Sequence, residues 1–135
     1  MGLLTHELEN RFKEVGSQEN TPDPLVIAKF FNPSGSGTWY ATEYENGICF
    51  GYVQLVENEF GYFSMAELES VKCPPFNLPI ERDLYFGEKP LSEACPELKP
   101  TIERRKELLK MQHQKDELRE MNTAKENNGK DEFER

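Results

Sequence analysis

Two histidines, three cysteines and a few closely spaced carboxylates are the side chains in these 135 residues with the means to do chemistry. A nucleophile needs a base within hydrogen-bond reach, and His6 and His113, the two imidazoles, both fall at the periphery of the predicted fold. Neither is assigned a catalytic role. Cys49, Cys73 and Cys95 are an odd number with no Cys-x-x-Cys spacing, which fits reduced thiols and neither a disulfide framework nor a zinc site. Gly35-Ser36-Gly37-Thr38 lacks the lysine of a phosphate-binding loop and leads into a strand, not a helix, so it reads as a plain loop. Glu81 and Asp83, two apart on a predicted strand, would point to one face and could share a divalent cation. Without a third fixed ligand they are read as acids on a wet strand face. No catalytic residue, cofactor or metal is expected.

Charge and aromatic content divide the chain. Residues 1–97 carry Arg11, Lys13, Lys29, Lys72, Arg82 and Lys89 against sixteen acids, a net of −10, whereas residues 98–135 carry a net of +1. Thirteen of the fifteen aromatics lie between Phe30 and Phe86, so the body is acidic and aromatic and the last third is a mixed-charge appendage. An acidic body repels phosphate backbones, which excludes direct nucleic-acid binding as an expectation, even though Trp39, Tyr40, Tyr44, Phe50, Tyr52 and Tyr62 could stack bases. Mean hydropathy is −0.76 and there is no long apolar run, so no membrane segment is expected. The start Met1-Gly2-Leu3-Leu4 has neither a basic region nor an apolar signal core, which predicts a cytoplasmic protein.

The elements that must position these residues follow from spacing. Thr5 caps a helix with apolar positions Leu4, Leu8, Phe12 and Val15, ended by Gly16. Residues 17–24 are a linker by composition. Leu25–Phe31 reads as one buried strand. Thr38–Tyr44 and Ile48–Val56 flank an Asn46-Gly47 hairpin turn, and Phe60–Phe63 completes an antiparallel meander. Ser64 and Glu67 are a capping box opening a short helix, which Pro74-Pro75 must stop. Pro79–Phe86 alternates as a half-solvated strand, with Arg82 on its apolar side, where it needs an acidic partner or must snorkel outward, and a paired acid is the expectation. Thr101 caps a helix running to roughly Met121 or Lys125. The fold class is therefore α+β: an antiparallel sheet of four to five strands, short N-terminal and mid-chain helices, a C-terminal helix and a disordered tail. The expected units are a domain over 1–97, a helical extension over 98–125 and a tail over 126–135, the first of which should fold without the rest.

At Lys29-Phe30-Phe31, Trp39-Tyr40-Ala41-Thr42-Glu43, Gly61 to Glu69 and Leu78 to Asp83, the chain resembles the bacterial family catalogued as domain of unknown function 2958. The resemblance covers roughly residues 1–92. It implies a small bacterial domain often encoded on plasmids, phages and other mobile elements, with no catalytic residue to carry over. The extension after Pro100 lies outside the family pattern.

Together these features point to a non-enzymatic protein-interaction or regulatory module of a mobile element. Its candidate surface is Trp39, Tyr40, Glu43, Glu45, Glu81 and Asp83, with Arg82, Ser64 and Glu67 structural, and its expected partner is a protein. Two other classes compete. The acids recur in i, i+2 pairs and could imitate a nucleic-acid backbone to inhibit a DNA-binding or defence protein, or Glu81 and Asp83 could serve a metal-dependent hydrolase. A dense acidic stripe would favour mimicry, a carboxylate-lined pocket an enzyme, and scattered acids a plain interaction module.

Overall fold

The computed structural model of the protein describes the backbone of residues 2–133 and the side chains of residues 2–124. Helix α1 (His6–Val15) starts where Thr5 Oγ1 accepts the Leu8 N–H at 3.2 Å, and ends at Gly16, whose N–H still donates to the Phe12 carbonyl while its φ of 70° turns the chain out of the helix. Phe12 is the buried residue of its apolar face.

The expected strand over 25–31 is two strands. β1 (Leu25–Val26) pairs with β9 (Lys89–Pro90), while β2 (Ala28–Phe31) lies between β3 (Thr38–Glu45) and β8 (Glu81–Arg82). Ile27 is the joint, its N–H donating to the Ala41 carbonyl. With β4 (Ile48–Gln54) and β5 (Asn58–Ser64) the antiparallel sheet has five strands in the order β5-β4-β3-β2-β8, and the meander is as expected. Asn46 (φ 49°) and Gly47 (φ 84°) make the β3–β4 turn from two left-handed residues, the property that makes Asn-Gly a hairpin signal. The β3–β4 register shifts between Ala41 and Glu43, so Thr42 is the extra residue of a bulge.

Beyond the meander, Ser64 Oγ accepts the Glu67 N–H at 3.3 Å and opens α2 (Met65–Ser70). A small hairpin follows, β6 (Lys72–Cys73) with β7 (Leu78–Pro79). The predicted strand over 79–86 is cut to the two residues of β8. Asp83 ends it: its N–H closes the ladder on the Lys29 carbonyl, and its Oδ1 accepts the Tyr85 N–H at 3.0 Å in a turn that leaves Leu84 and Tyr85 exposed. The chain then forms α3 (Leu91–Ala94), a 3-10 turn (Pro96–Leu98) and α4 (Lys99–Phe133), which starts two residues before the expected cap. The expected tail over 126–135 falls on residues whose side chains lie outside those described.

Both faces of the sheet are covered. On the first, α1 and α2 pack Phe12, Met65 and Leu68 against Ala28, Phe30, Trp39, Ala41, Cys49 and Val53. On the second, Leu91, Cys95, Leu98 and Ile102 pack on Val26, Tyr40 and Tyr52. A boundary after Glu97 therefore runs through a core layer, because Leu98 and Ile102 lie beyond it. Among the described residues no helix is long and apolar enough to cross a membrane.

Candidate functional site

Directly opposed residues of antiparallel strands share a face, so the registers sort the sheet into rows. On the second face these are Thr38–Gln54–Asn58, Tyr40–Tyr52–Phe60, Glu43–Phe50–Tyr62 and Glu45–Ile48–Ser64. The α3–α4 layer roofs the Tyr40 row. The next two rows are uncovered.

Trp39 and Tyr40 are consequently not surface residues. Trp39 is 9% exposed, in the first core layer, and Tyr40 is 8% exposed, in the second. Tyr40 stacks on Tyr52 at 6.3 Å and meets the edge of Phe86 at 6.5 Å, and burial, with Cys95 nearby, raises its phenol above the ordinary range. Alternation placed the two aromatics on opposite faces, and each face has its own cover. Burial likewise pushes the Cys49 thiol up to about 12 and Cys95 up to about 11, which makes them packing residues with little thiolate character.

Glu81 and Asp83 do lie on one side of the sheet edge, opposite Phe31 and Lys29. Asp83 is already engaged, by Lys29 Nζ at 3.7 Å and by the Tyr85 N–H, while Glu81 is exposed. They are separated from Glu43 and Glu45 by β2, so the six candidate residues do not form one surface. Arg82 sits opposite Phe30 on the apolar side, as expected, but is half-buried on an edge strand and has no carboxylate within ion-pair distance among the described residues. The expected buried pair is replaced by access to water. The well-formed arginine pair is elsewhere: Arg11 grips Glu88 through Nε at 2.7 Å and a terminal nitrogen at 2.9 Å, and these bonds raise its pKa further.

What the fold brings together is Glu43, Glu45, Ile48, Phe50 and Tyr62. Phe50 and Tyr62 are neighbours on β4 and β5 with ring centroids 4.9 Å apart, and Tyr62 is 79% and Ile48 42% exposed. They floor a cleft of about 770 Å³ whose far wall is the end of α1, with Glu9, Lys13 and Gly16. Across Glu43, Phe50 and Tyr62 it adjoins a second cleft of about 540 Å³, bounded by Glu19, Thr101 and Arg105, whose guanidinium lies 5.4 Å over Phe60. Four carboxylates and two cations rim an aromatic floor. The segment shaping the junction is the one composition marks as a linker: buried Gln18 donates through Nε2 to the Leu25 and Thr42 carbonyls at 2.9 and 2.8 Å and accepts the Leu25 N–H at 2.7 Å. Thr42 is the bulge residue, so Gln18 satisfies a carbonyl that the register shift takes out of the ladder.

Among the described residues no three His, Cys, Asp or Glu side chains are grouped as a metal site needs. Residues 3–96 match the family model described as a protein of unknown function (DUF2958). The chain belongs to that family. No curated protein and no solved structure matches it. The DUF2958 match takes in the sheet, α1 to α3 and the floor of the cleft, and stops at the 3-10 turn, just short of Leu98, Ile102 and Arg105. Residues after 96 thus complete the second core layer and one wall of the cleft from outside the DUF2958 segment.

Proposed function

We infer that this protein is a non-enzymatic interaction module that docks a basic segment of a protein partner on the uncovered half of the sheet's second face. The observation that carries this is the Ile48, Phe50 and Tyr62 floor beside Glu43 and Glu45. It offers aromatic anchors next to fixed negative charge, the combination in which apolar contacts hold a partner and long-range charge recruits it. The mobile-element setting rests on the family resemblance alone. A nucleic-acid mimic is less well supported, because the acids are divided between faces: Glu43 and Glu45 on the second, Glu59 on the first, Glu7 and Glu67 on helices covering the first. A hydrolase built on Glu81 and Asp83 has the engagement of Asp83 with Lys29 against it.

The test is affinity capture from a bacterial host with three baits: the native chain, Ile48→Ser with Tyr62→Ser, and Glu43→Gln with Glu45→Gln. A partner retained by the native chain should be lost with the first variant. With the second it should associate more slowly and lose its sensitivity to salt. Capture indifferent to both variants would overturn the proposed surface.

A further inference from the structure

Helix α4 spans 35 residues, about 50 Å, yet among its described side chains those packed on the body belong to the first turns. Ile102 is buried, Arg105 is half-buried over Phe60, and beyond them five apolar residues are exposed: Leu109 on the same side as Ile102 and Arg105, and Leu108, Met111, Leu118 and Met121 around the rest of the helix. What supports the outer part is local: Lys106 with Glu103 at 3.2 Å, Gln112 with Asp116 at 3.1 Å and His113 with Glu117 at 3.0 Å. Such pairs contribute only a few tenths of a kcal/mol each, and isolated helices are marginal in water, so a projecting helix of this length calls for a partner face.

With Leu109 turned toward the body, the spacing of the other four apolar residues points to that partner. Leu108, Met111, Leu118 and Met121 are separated by three, seven and three residues, an order that reads the same in both directions. A two-fold contact between identical helices running antiparallel demands this self-complementarity, because residue i must meet residue j while j meets i. Reversal about the point between Gln114 and Lys115 sets Leu108 opposite Met121 and Met111 opposite Leu118. At 100° per residue the stripe lies on the side of α4 away from Ile102 and Arg105, so the body does not obstruct it. Its repeat is shorter than 3.6 residues per turn, the sense followed by a left-handed crossing.

Charge supports the same orientation. Residues 99–115 hold Lys99, Arg104, Arg105, Lys106, Lys110 and Lys115 against Glu103 and Glu107, whereas residues 116–124 hold Asp116, Glu117 and Glu120 against Arg119. Antiparallel pairing lays the basic half of each helix along the acidic half of the other. Parallel pairing would stack like on like. We propose that α4 is a dimerisation helix whose occupant is a second copy of this chain, packed antiparallel through Leu108, Met111, Leu118 and Met121.

Sedimentation of the full chain from micromolar concentration upwards should show a species of twice 15.7 kDa. Met111→Glu with Leu118→Glu should reduce it to the monomer with its circular dichroism largely kept, while Thr123→Glu, off the stripe, should leave the dimer. Orientation is read by mild oxidation with oxidised glutathione. An equimolar mixture of Leu108→Cys and Met121→Cys chains should form a mixed disulfide dimer that neither forms alone. A monomer at every concentration, a dimer that survives the double glutamate variant, or Leu108→Cys chains cross-linking to themselves would each overturn the proposal.

Discussion

Gln18 is the side chain on which the site's shape depends most directly. It is buried and makes three hydrogen bonds, two to Leu25 and one to the bulged Thr42, so it ties the segment after α1 to both β1 and β3. Gln18→Leu keeps the volume but leaves a buried N–H and two carbonyls without partners, and it should cost about 3 kcal/mol of unfolding free energy in denaturant titration. Gln18→Glu should be no better, since a carboxylate cannot donate to those carbonyls. A change under about 0.5 kcal/mol would mean that water replaces the amide. Nothing in Ser17-Gln18-Glu19-Asn20 marks this role, because a glutamine between polar neighbours reads as solvated until the bulge that needs it is known. Trp39 and Tyr40 were misplaced for a related reason. Alternation tells which residues share a face, but not which part of that face a distant helix covers.

At the level of elements, the β3–β4 hairpin packs its backbones closely at one point. A Cβ added at Gly51 would lie 1.7 Å from the Tyr40 carbonyl oxygen, a clash with backbone that no rotamer relieves, whereas one at Gly61, opposite Gly51 on β5, would meet nothing within 4 Å. Gly51→Ala should therefore destabilise by about 3 kcal/mol or more, and Gly61→Ala should be neutral or slightly stabilising. Thermal melts of the two variants check this, and equal effects would place the close approach elsewhere. The meander itself was legible because its signals are local: Asn46-Gly47, β-branched and aromatic runs, and Ser64 three residues before Glu67. The breaks at Ile27 and Asp83 were not, since each answers to a partner remote in sequence, Ala41 in one case and Lys29 in the other. Apolar composition continues through both breaks.

For the whole molecule, the decisive fact is that the second face of the sheet is roofed from the C-terminal side. Truncation after Glu97, which composition alone would allow, removes Leu98 and Ile102 and uncovers Tyr40 and Tyr52. That chain should lose its cooperative thermal transition, since deleting even one large buried aliphatic side chain typically costs about 3 kcal/mol. Truncation after Lys110 keeps Ile102 and Arg105, and should melt with the monomeric Met111→Glu, Leu118→Glu full-length chain. A cooperative transition in the 1–97 chain would show that the α3 layer holds without them. The roof also has a consequence for synthesis. Ribosomes deliver β5 before Leu91 and Ile102, so for an interval on the order of seconds Tyr40, Tyr52 and Phe60 form a finished aromatic row with nothing over it. Nascent chains in that state risk sticking to one another through those rings, and the nine acids of residues 1–64 against Arg11, Lys13 and Lys29, a net of −6, should oppose such contacts between neighbours on the same message until the cover arrives.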